Sequence, residues 1–313
     1  MRSRASRPWA LILAGGDGLR LRPLTRQITG DLRPKQYCPI LDGETLLDST
    51  RRRAELVAPS TRHVIVVTRG HEPYYHELLP ALPPERLVVQ PANRGTGPGI
   101  LYPLLRIVAT AGDVPLVILP SDHYVSDDRA LGHHLEAALV AAAQRRDVVV
   151  LLGMEASRPE TDYGWIEPAP VALPSDGPSL FPIRRFLEKP STAVAEHLLT
   201  RGCLWNSFVM VGFVRTFLRL IWDNAPVLFK EFQPLRQARS VSEAASVVDH
   251  IYARIGSVSF SERVLGSGTR HLVALPVKGV TWSDLDEPAR VLSTLRGAGI
   301  VPSWLSRGLG VAV

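Results

Sequence analysis

The run Trp9-Ala10-Leu11-Ile12-Leu13-Ala14-Gly15-Gly16-Asp17-Gly18-Leu19-Arg20 constrains the fold more than any other stretch of this chain. Ala10 to Ala14 are apolar without alternation, which suits a central parallel strand covered on both faces. Gly15, Gly16 and Gly18 follow at once and lack the Cβ atoms that would hold a ligand off the backbone. The N–H groups of such a turn can form a concave nest for a polyanion. Arg20 lies just beyond, and Lys35 follows in Arg33-Pro34-Lys35-Gln36. A glycine loop with two cations fits a nucleoside triphosphate better than a protein partner. Two common phosphate motifs are excluded. G-x-G-x-x-G begun at Gly16 needs glycine where Leu21 stands, and no G-x-x-x-x-G-K-[ST] occurs.

At 313 residues the chain can bury a full core, as one large α/β domain or two smaller ones. No apolar run approaches the ~20 residues of a membrane helix, so no membrane partner is expected. Residues 1–8 are basic and read as a flexible tail. The short apolar run behind them leads into the glycine loop, which argues against a cleaved signal. The net charge of +6 permits nucleic-acid binding, but the 36 Lys and Arg are spread along the chain. There is no basic block and no aromatic–basic interleaving, so no nucleic-acid partner is expected. Anionic small substrates and surface solvation account for the excess. Cys38 and Cys203 have no metal-ligand spacing and read as free thiols in a reducing cytoplasm.

Strand and helix patterns alternate through the first half, predicting a Rossmann-like three-layer α/β/α sandwich with a mostly parallel central sheet. Strands are expected at 9–14, 63–68, 86–90, 115–119 and 147–153, with helices at 44–57, 71–79, 98–111 and 128–145. Beyond about residue 155, strand-like pieces fall at 163–167, 183–188, 204–213 and 271–277. Helices are expected at 191–201, 214–223, 226–238, 242–254 and 286–296. Residues 9–296 then form one domain in two halves, 9–155 and 156–296. There is no hexapeptide repeat and hence no C-terminal β-helix. The apolar tail 297–313 is expected to pack on the domain or on a partner subunit, and a homodimer is possible. In open α/β sheets, ligands bind at the carboxyl ends of strands. The Gly15–Gly18 turn and the Pro120-Ser121-Asp122-His123 turn both sit there.

Read in order, further pieces complete a pattern. They are Leu13 to Thr25, Pro34-Lys35-Gln36, Gln90-Pro91-Ala92-Asn93-Arg94-Gly95-Thr96-Gly97-Pro98-Gly99, Pro120-Ser121-Asp122-His123, Tyr163-Gly164-Trp165-Ile166, Phe186-Leu187-Glu188-Lys189-Pro190, Trp205-Asn206-Ser207-Phe208 and Trp282-Ser283-Asp284-Leu285-Asp286. The series resembles the sugar-1-phosphate nucleotidyltransferases. It is closest to the mannose-1-phosphate guanylyltransferase (GDP-mannose pyrophosphorylase) branch, which looks like L-A-G-G-x-G-T-R-L-W-P-L-S-R, P-K-Q, E-P-x-x-R-N-T-A-P-A, P-A-D-H, Y-G-Y-I, F-x-E-K-P, W-N-S-G and W-x-D-V-G. The resemblance spans residues 9–290 or so.

The resemblance implies that a sugar-1-phosphate oxygen attacks the α-phosphorus of an NTP and pyrophosphate leaves. The leading pair is GTP with mannose-1-phosphate, giving GDP-mannose. Such chemistry is mostly positioning and charge neutralisation. Leu13, Ala14, Gly15, Gly16 and Gly18 with Arg20 and Lys35 would hold the triphosphate. Gln90, Gly95 and Thr96 would meet the base, and a glycine-rich helix start would admit a flat ring. Asp122 and Asp284 match the metal carboxylates for Mg2+ or Mn2+, with Asp286 an adjacent candidate. Lys189 would bind the sugar phosphate, Gly164 would let the backbone approach the sugar, and Glu188 and Asn206 would bond its hydroxyls. His123 reads as structural.

The departures bear on the substrate. Gln90 stands where the guanylyl branch has glutamate, and an amide also suits the mixed edge of thymine or uracil. Phe208 replaces a glycine, Leu19 a threonine, and Leu285-Asp286 a Val-Gly pair. The alternatives are dTTP or UTP with glucose-1-phosphate, or GTP with a heptose-1-phosphate. A catalytically silent regulator that binds nucleotide sugar is another, and it predicts a lost charged group.

Overall fold

The computed structural model describes residues 7–174, 177–237 and 241–305. Most of the basic start and the last eight positions of the apolar tail, 306–313, lie outside the described residues. The strands are β1 (Trp9–Leu13), β2 (His63–Thr68), β3 (Leu87–Gln90), β4 (Pro115–Pro120), β5 (His123–Val125), β6 (Val149–Glu155), β7 (Gly164–Pro168), β8 (Phe181–Glu188), β9 (Leu204–Phe213), β10 (Leu272–Val277) and β11 (Trp282–Asp284). Nine of them form one sheet in the order β3-β2-β1-β4-β9-β6-β10-β8-β7. β1 pairs in parallel with β2 and β4, β2 with β3, and β6 with β10. β9 runs antiparallel to β4, β6 and β7, and β8 antiparallel to β7 and β10. Only β8 and β9 therefore oppose the common direction, and the sheet is mostly parallel as expected. It runs without a break through both halves of the chain.

The apolar runs bury both sheet faces, because successive side chains point to opposite sides. Ala10, Ile12, Ile65 and Val67 join one cluster with Leu47, Leu131, Leu135 and Leu198 of the helices Leu46–Glu55, Asp128–Gln144 and Thr192–Thr200. Leu11, Val64 and Val66 join the other with Ile100, Leu104, Phe217 and Ile251 of the helices Thr96–Ala111, Val214–Asn224 and Val241–Arg254. These two covered faces are the outer layers of the sandwich. No helix among the described residues is long and apolar enough to cross a membrane. Cys38 and Cys203 are buried and unpaired.

Several elements depart from the sequence pattern. The helix expected at 226–238 is Pro226–Glu231 followed by a tight turn at Gln233–Gln237. The helix Arg22–Thr29, with Pro23 in its first turn and Gly30 closing it at φ 86°, was not foreseen. Nor was the separate pair β5–β11, which is antiparallel with His123 opposite Asp284. A third apolar cluster backs that pair, with Leu21, Ile40, Tyr124, Leu285, Val291 and Trp304 in it. Trp304 Nε1 donates to the Ile40 carbonyl at 3.0 Å. The tail therefore packs on its own chain as far as residue 305.

Candidate active site

The glycine turn leaves the sheet where β1 ends between β2 and β4, with Leu13 opposite Val66 and Pro120. Its carbonyls are tied back from several sides. Gln36 Nε2 donates to Ala14 O at 3.0 Å and to Gly16 O at 2.8 Å. Tyr37 donates to Ala14 O at 2.7 Å, and Thr68 Oγ1 to Gly15 O at 2.8 Å. The N–H groups of Gly15, Gly16 and Gly18 donate to no protein group among the described residues. Satisfied carbonyls with free N–H groups are what an anion nest requires. Gly18 sits at φ +56°, and a Cβ there would lie 3.2 Å from the Lys35 nitrogen, so both conformation and space call for glycine.

Asp122 follows β4, and Asp284 ends β11 beside it. Lys35, 5% exposed, places its ammonium 2.8 Å from Asp284 Oδ1 and 3.3 Å from Asp122 Oδ2. Burial works against that charge, but the two carboxylates outweigh it and raise the Lys35 pKa. Burial likewise opposes Asp284 ionising, and the Lys35 ammonium holds its carboxyl below the ordinary range. Asp122, His123 and Asp284 form a compact group whose candidate ligand atoms lie within 4.8 Å of one another. Trp282 Nε1 can only donate, and it meets His123 Nδ1 at 3.3 Å. The other nitrogen, Nε2, therefore carries the proton and faces Asp122 Oδ1 at 3.5 Å. Burial lowers the His123 pKa and keeps the ring neutral. His123 is thus a donor to the acid pair, which leaves two hard carboxylates for a cation.

Arg20 reaches the acids that follow β11. It pairs with Asp286 through Nη2 and with Glu287 at 3.1 Å through Nη1. Asp286 also faces Arg290, at 3.0 Å, and not Asp122. Of the two candidate aspartates, Asp284 is therefore the one beside Asp122.

These groups open on one cavity of about 390 Å3. Its wall includes Leu13, Gly15, Gly16 and Arg20 at one side, Gln90, Gly95 and Thr96 at another, Asp122 and Asp284 between, and Gly164, Glu188, Lys189, Asn206 and Phe208 at the far side. Ala14, Gly18 and Lys35 stand behind the wall, buried or shaping the turn. The Gln90 amide is wedged between two glycines. A Cβ on Gly15 would lie 2.6 Å from its Nε2, and one on Gly99 3.4 Å from its Oε1. Gly95 and Gly97 have a structural cause that the sequence reading did not give. A Cβ on either would meet the Val258 carbonyl, at 2.6 and 2.9 Å, so these glycines admit the chain's own Ser257–Val258 segment, while Gly95 also lines the cavity. The Thr96 hydroxyl accepts the Phe260 N–H at 2.8 Å and anchors the same segment.

At the far side, a Cβ on Gly164 would lie 2.8 Å from Glu188 Oε2, so that glycine makes room for the Glu188 carboxyl. Burial pushes the Glu188 pKa up to about 7, against the pull of neighbouring Lys189. Lys189 is exposed, sits at φ +47°, and forms no ion pair among the described residues. Asn206 Oδ1 accepts the Phe208 N–H at 3.1 Å, leaving its N–H2 for a ligand. Phe208 itself adopts φ +57°, a conformation that favours glycine, and meets Phe260 edge-on at 6.0 Å. The wall residues Ser259 and Ser261, and Tyr252 behind Gln90, were not anticipated. Tyr252 belongs to the helix Val241–Arg254 and the two serines follow it, in a stretch with no motif.

The arrangement can hold a polyphosphate on the nest, a divalent cation on the acid pair, and a second anion at Lys189. The chain is similar to several known proteins. The curated relatives include the alginate biosynthesis protein AlgA of Pseudomonas putida, 33% identical over 75% of this chain and 48% of its own. The mannose-1-phosphate guanylyltransferase of Escherichia coli is 29% identical over 71% of this chain and 48% of its own. The chain thus spans about half the length of the curated relatives it matches. Among solved structures, the mannose-1-phosphate geranyltransferase from Thermus thermophilus superposes with a TM-score of 0.76 at 29% identity, over 90% of this chain and 76% of its own. The nucleotidyl transferase family model matches residues 9–285, and the chain belongs to that family.

Proposed function

We propose that this chain joins a sugar-1-phosphate to an NTP with release of pyrophosphate, with mannose-1-phosphate and GTP as the leading pair and GDP-mannose as product. One observation carries the reading. A single cavity has an anion nest at one end, an acid pair in the middle and, at the other, the cation Lys189, which has no ion-pair partner among the described residues. The names of the relatives favour this pair of substrates.

The nest at Gly15, Gly16 and Gly18 receives the β- and γ-phosphates, and Arg20 adds charge as pyrophosphate departs. Lys189 holds the sugar phosphate so that its oxygen faces the α-phosphorus, while the Asn206 amide faces the sugar hydroxyls. The new O–P bond forms as the bond to pyrophosphate breaks, and no general base is needed because the attacking phosphate is already ionised. The substrates repel each other, so most of the rate gain comes from alignment and charge neutralisation. Two adjacent carboxylates with no soft donor suit Mg2+ or Mn2+, which Asp122 and Asp284 would hold. When bound there, such an ion would supply positive charge to offset that of the reacting phosphates. Glu188 and Gln90 then face the sugar hydroxyls and the base.

The amide at Gln90 also favours a second reading, UTP or dTTP with glucose-1-phosphate. Pyrophosphate release with Mg2+, crossing GTP, dTTP, UTP, ATP and CTP with mannose-1-, glucose-1- and a heptose-1-phosphate, tests both. The expected result is highest turnover with GTP and mannose-1-phosphate. Preference for another pair replaces the substrates but keeps the chemistry. Silence from folded protein across the panel overturns the enzyme reading in favour of a nucleotide-sugar-binding regulator.

A further inference from the structure

Gln90 ends β3, where the amide could offer a base either its carbonyl or its N–H2 group. Which one it offers is decided outside the glycine loops, by a helix of the second half. Tyr252, in the helix Val241–Arg254, is buried and donates its phenol O–H to Gln90 Oε1 at 2.9 Å. Burial pushes the Tyr252 pKa far above its ordinary value, so the phenol keeps its proton and remains a donor. The same residue is fixed a second time, because its backbone carbonyl accepts Arg94 Nε at 3.1 Å. Tyr252 thus grips both ends of the Gln90–Arg94 loop. The amide fills the space the two glycines leave, since a Cβ on Gly15 would fall 2.6 Å from Nε2 and one on Gly99 3.4 Å from Oε1. With Oε1 engaged by the phenol, Nε2 lies on the Gly15 side, against the nest and the cavity that Gln90 lines.

We infer that Tyr252 is a positioning residue that turns the Gln90 amide so that its N–H2 group meets the nucleobase, selecting bases that carry a carbonyl there. Guanine, uracil and thymine present such a carbonyl, whereas adenine and cytosine present an amino group. A donor facing a donor is left unpaired and desolvated, which costs far more than a weak hydrogen bond gains. The inference rests on the proposed placement of the base at Gln90, but not on turnover.

The test is calorimetric binding of GTP, UTP, ATP and CTP with Mg2+ to the wild type, Tyr252→Phe and Gln90→Glu. The wild type is expected to bind GTP and UTP more tightly than ATP and CTP. Tyr252→Phe keeps the ring, so its Tm should stay within about 4 °C of wild type. Its GTP-to-ATP affinity ratio should fall about tenfold, the worth of one orienting hydrogen bond. Its calorimetric affinity for mannose-1-phosphate should not move, whereas a merely structural role would shift Tm and both ligands together. Gln90→Glu replaces the donor by an acceptor and should raise ATP relative to UTP. An unchanged ratio in folded Tyr252→Phe, an unchanged order in Gln90→Glu, or a wild type without preference for carbonyl-bearing bases overturns the inference. Base preference that responds to Tyr252 in a protein silent for pyrophosphate release overturns the enzyme reading and leaves this inference standing.

Discussion

Lys35 and Asp284 are 249 residues apart in sequence, yet the ammonium lies 2.8 Å from the carboxylate, with Asp122 completing the group at 3.3 Å. The cation thus stands against the two acids that would hold a metal. Without a bound cation, their mutual repulsion is offset by one buried lysine. Removing one partner from a buried charge cluster is costly because the others are left uncompensated.

Lys35→Met is therefore expected to lose about 2–4 kcal/mol of stability in EDTA. Millimolar Mg2+ should recover more of that loss than it adds to the wild type, since it replaces the missing positive charge. Thermal melts of both proteins with and without Mg2+ measure this. The same Mg2+ increment in both would rule out a shared site for the lysine and the metal.

Arg20 is about half exposed, and its pairs with Asp286 and Glu287 are of the kind worth roughly 0–1 kcal/mol. Those contacts give way easily to a triphosphate, which offers a guanidinium stronger, charge-assisted bonds. Arg20→Gln should leave Tm nearly unchanged and lower kcat/KM for the nucleotide roughly tenfold to a hundredfold. Steady-state kinetics with the nucleotide varied checks this, and an unaltered kcat/KM would remove Arg20 from the phosphate site.

Phe208 adopts φ +57° in a strand whose pattern in the resembling branch carries glycine at that place. For an L-residue the left-handed region costs about 1–2 kcal/mol, and glycine escapes that cost. Phe208→Ala and Phe208→Gly lose the same packing on Phe260, so their difference isolates the backbone. Phe208→Gly is expected to be the more stable of the two by about 1 kcal/mol in chemical denaturation. Both should widen the sugar end and raise relative turnover of a heptose-1-phosphate. A more stable alanine variant would show that the backbone is relaxed at that position.

Much of this was legible in the residues. The unalternating runs at Trp9–Leu13 and His63–Thr68 mark strands covered on both faces, and the glycines of the first turn mark its free N–H groups. The meeting of Asp122 with Asp284 was visible only as a motif likeness. It is made by β5 and β11, three residues each, too short to carry a periodic signal. The helix Arg22–Thr29 is about two turns long, and its apolar stripe is only Leu24 and Ile28, too little to stand out as a periodic signal. The pairing of Arg20 with Asp286 and the grip of Tyr252 on Gln90 join distant segments, and no local pattern encodes such contacts. Gly95 and Gly97 show the converse. Their glycine signal was plain, but its cause was the approach of Val258.

Glu188 gives the last expectation. Burial raises its folded pKa to about 7, above the value of an unfolded glutamate. Between the unfolded and folded values the native state binds more protons than the unfolded chain, so stability falls as pH rises through that window. The contribution is fully present below about pH 4.5 and lost above about pH 7, and amounts to about 3 kcal/mol at most. Glu188→Gln places a neutral group in the same space at every pH. Relative to wild type it should therefore gain stability steadily from pH 5 to pH 8, and its folding should show a flatter pH dependence. Parallel denaturation curves across that range would check this. A constant difference between the two proteins would mean that the carboxyl titrates as an ordinary glutamate.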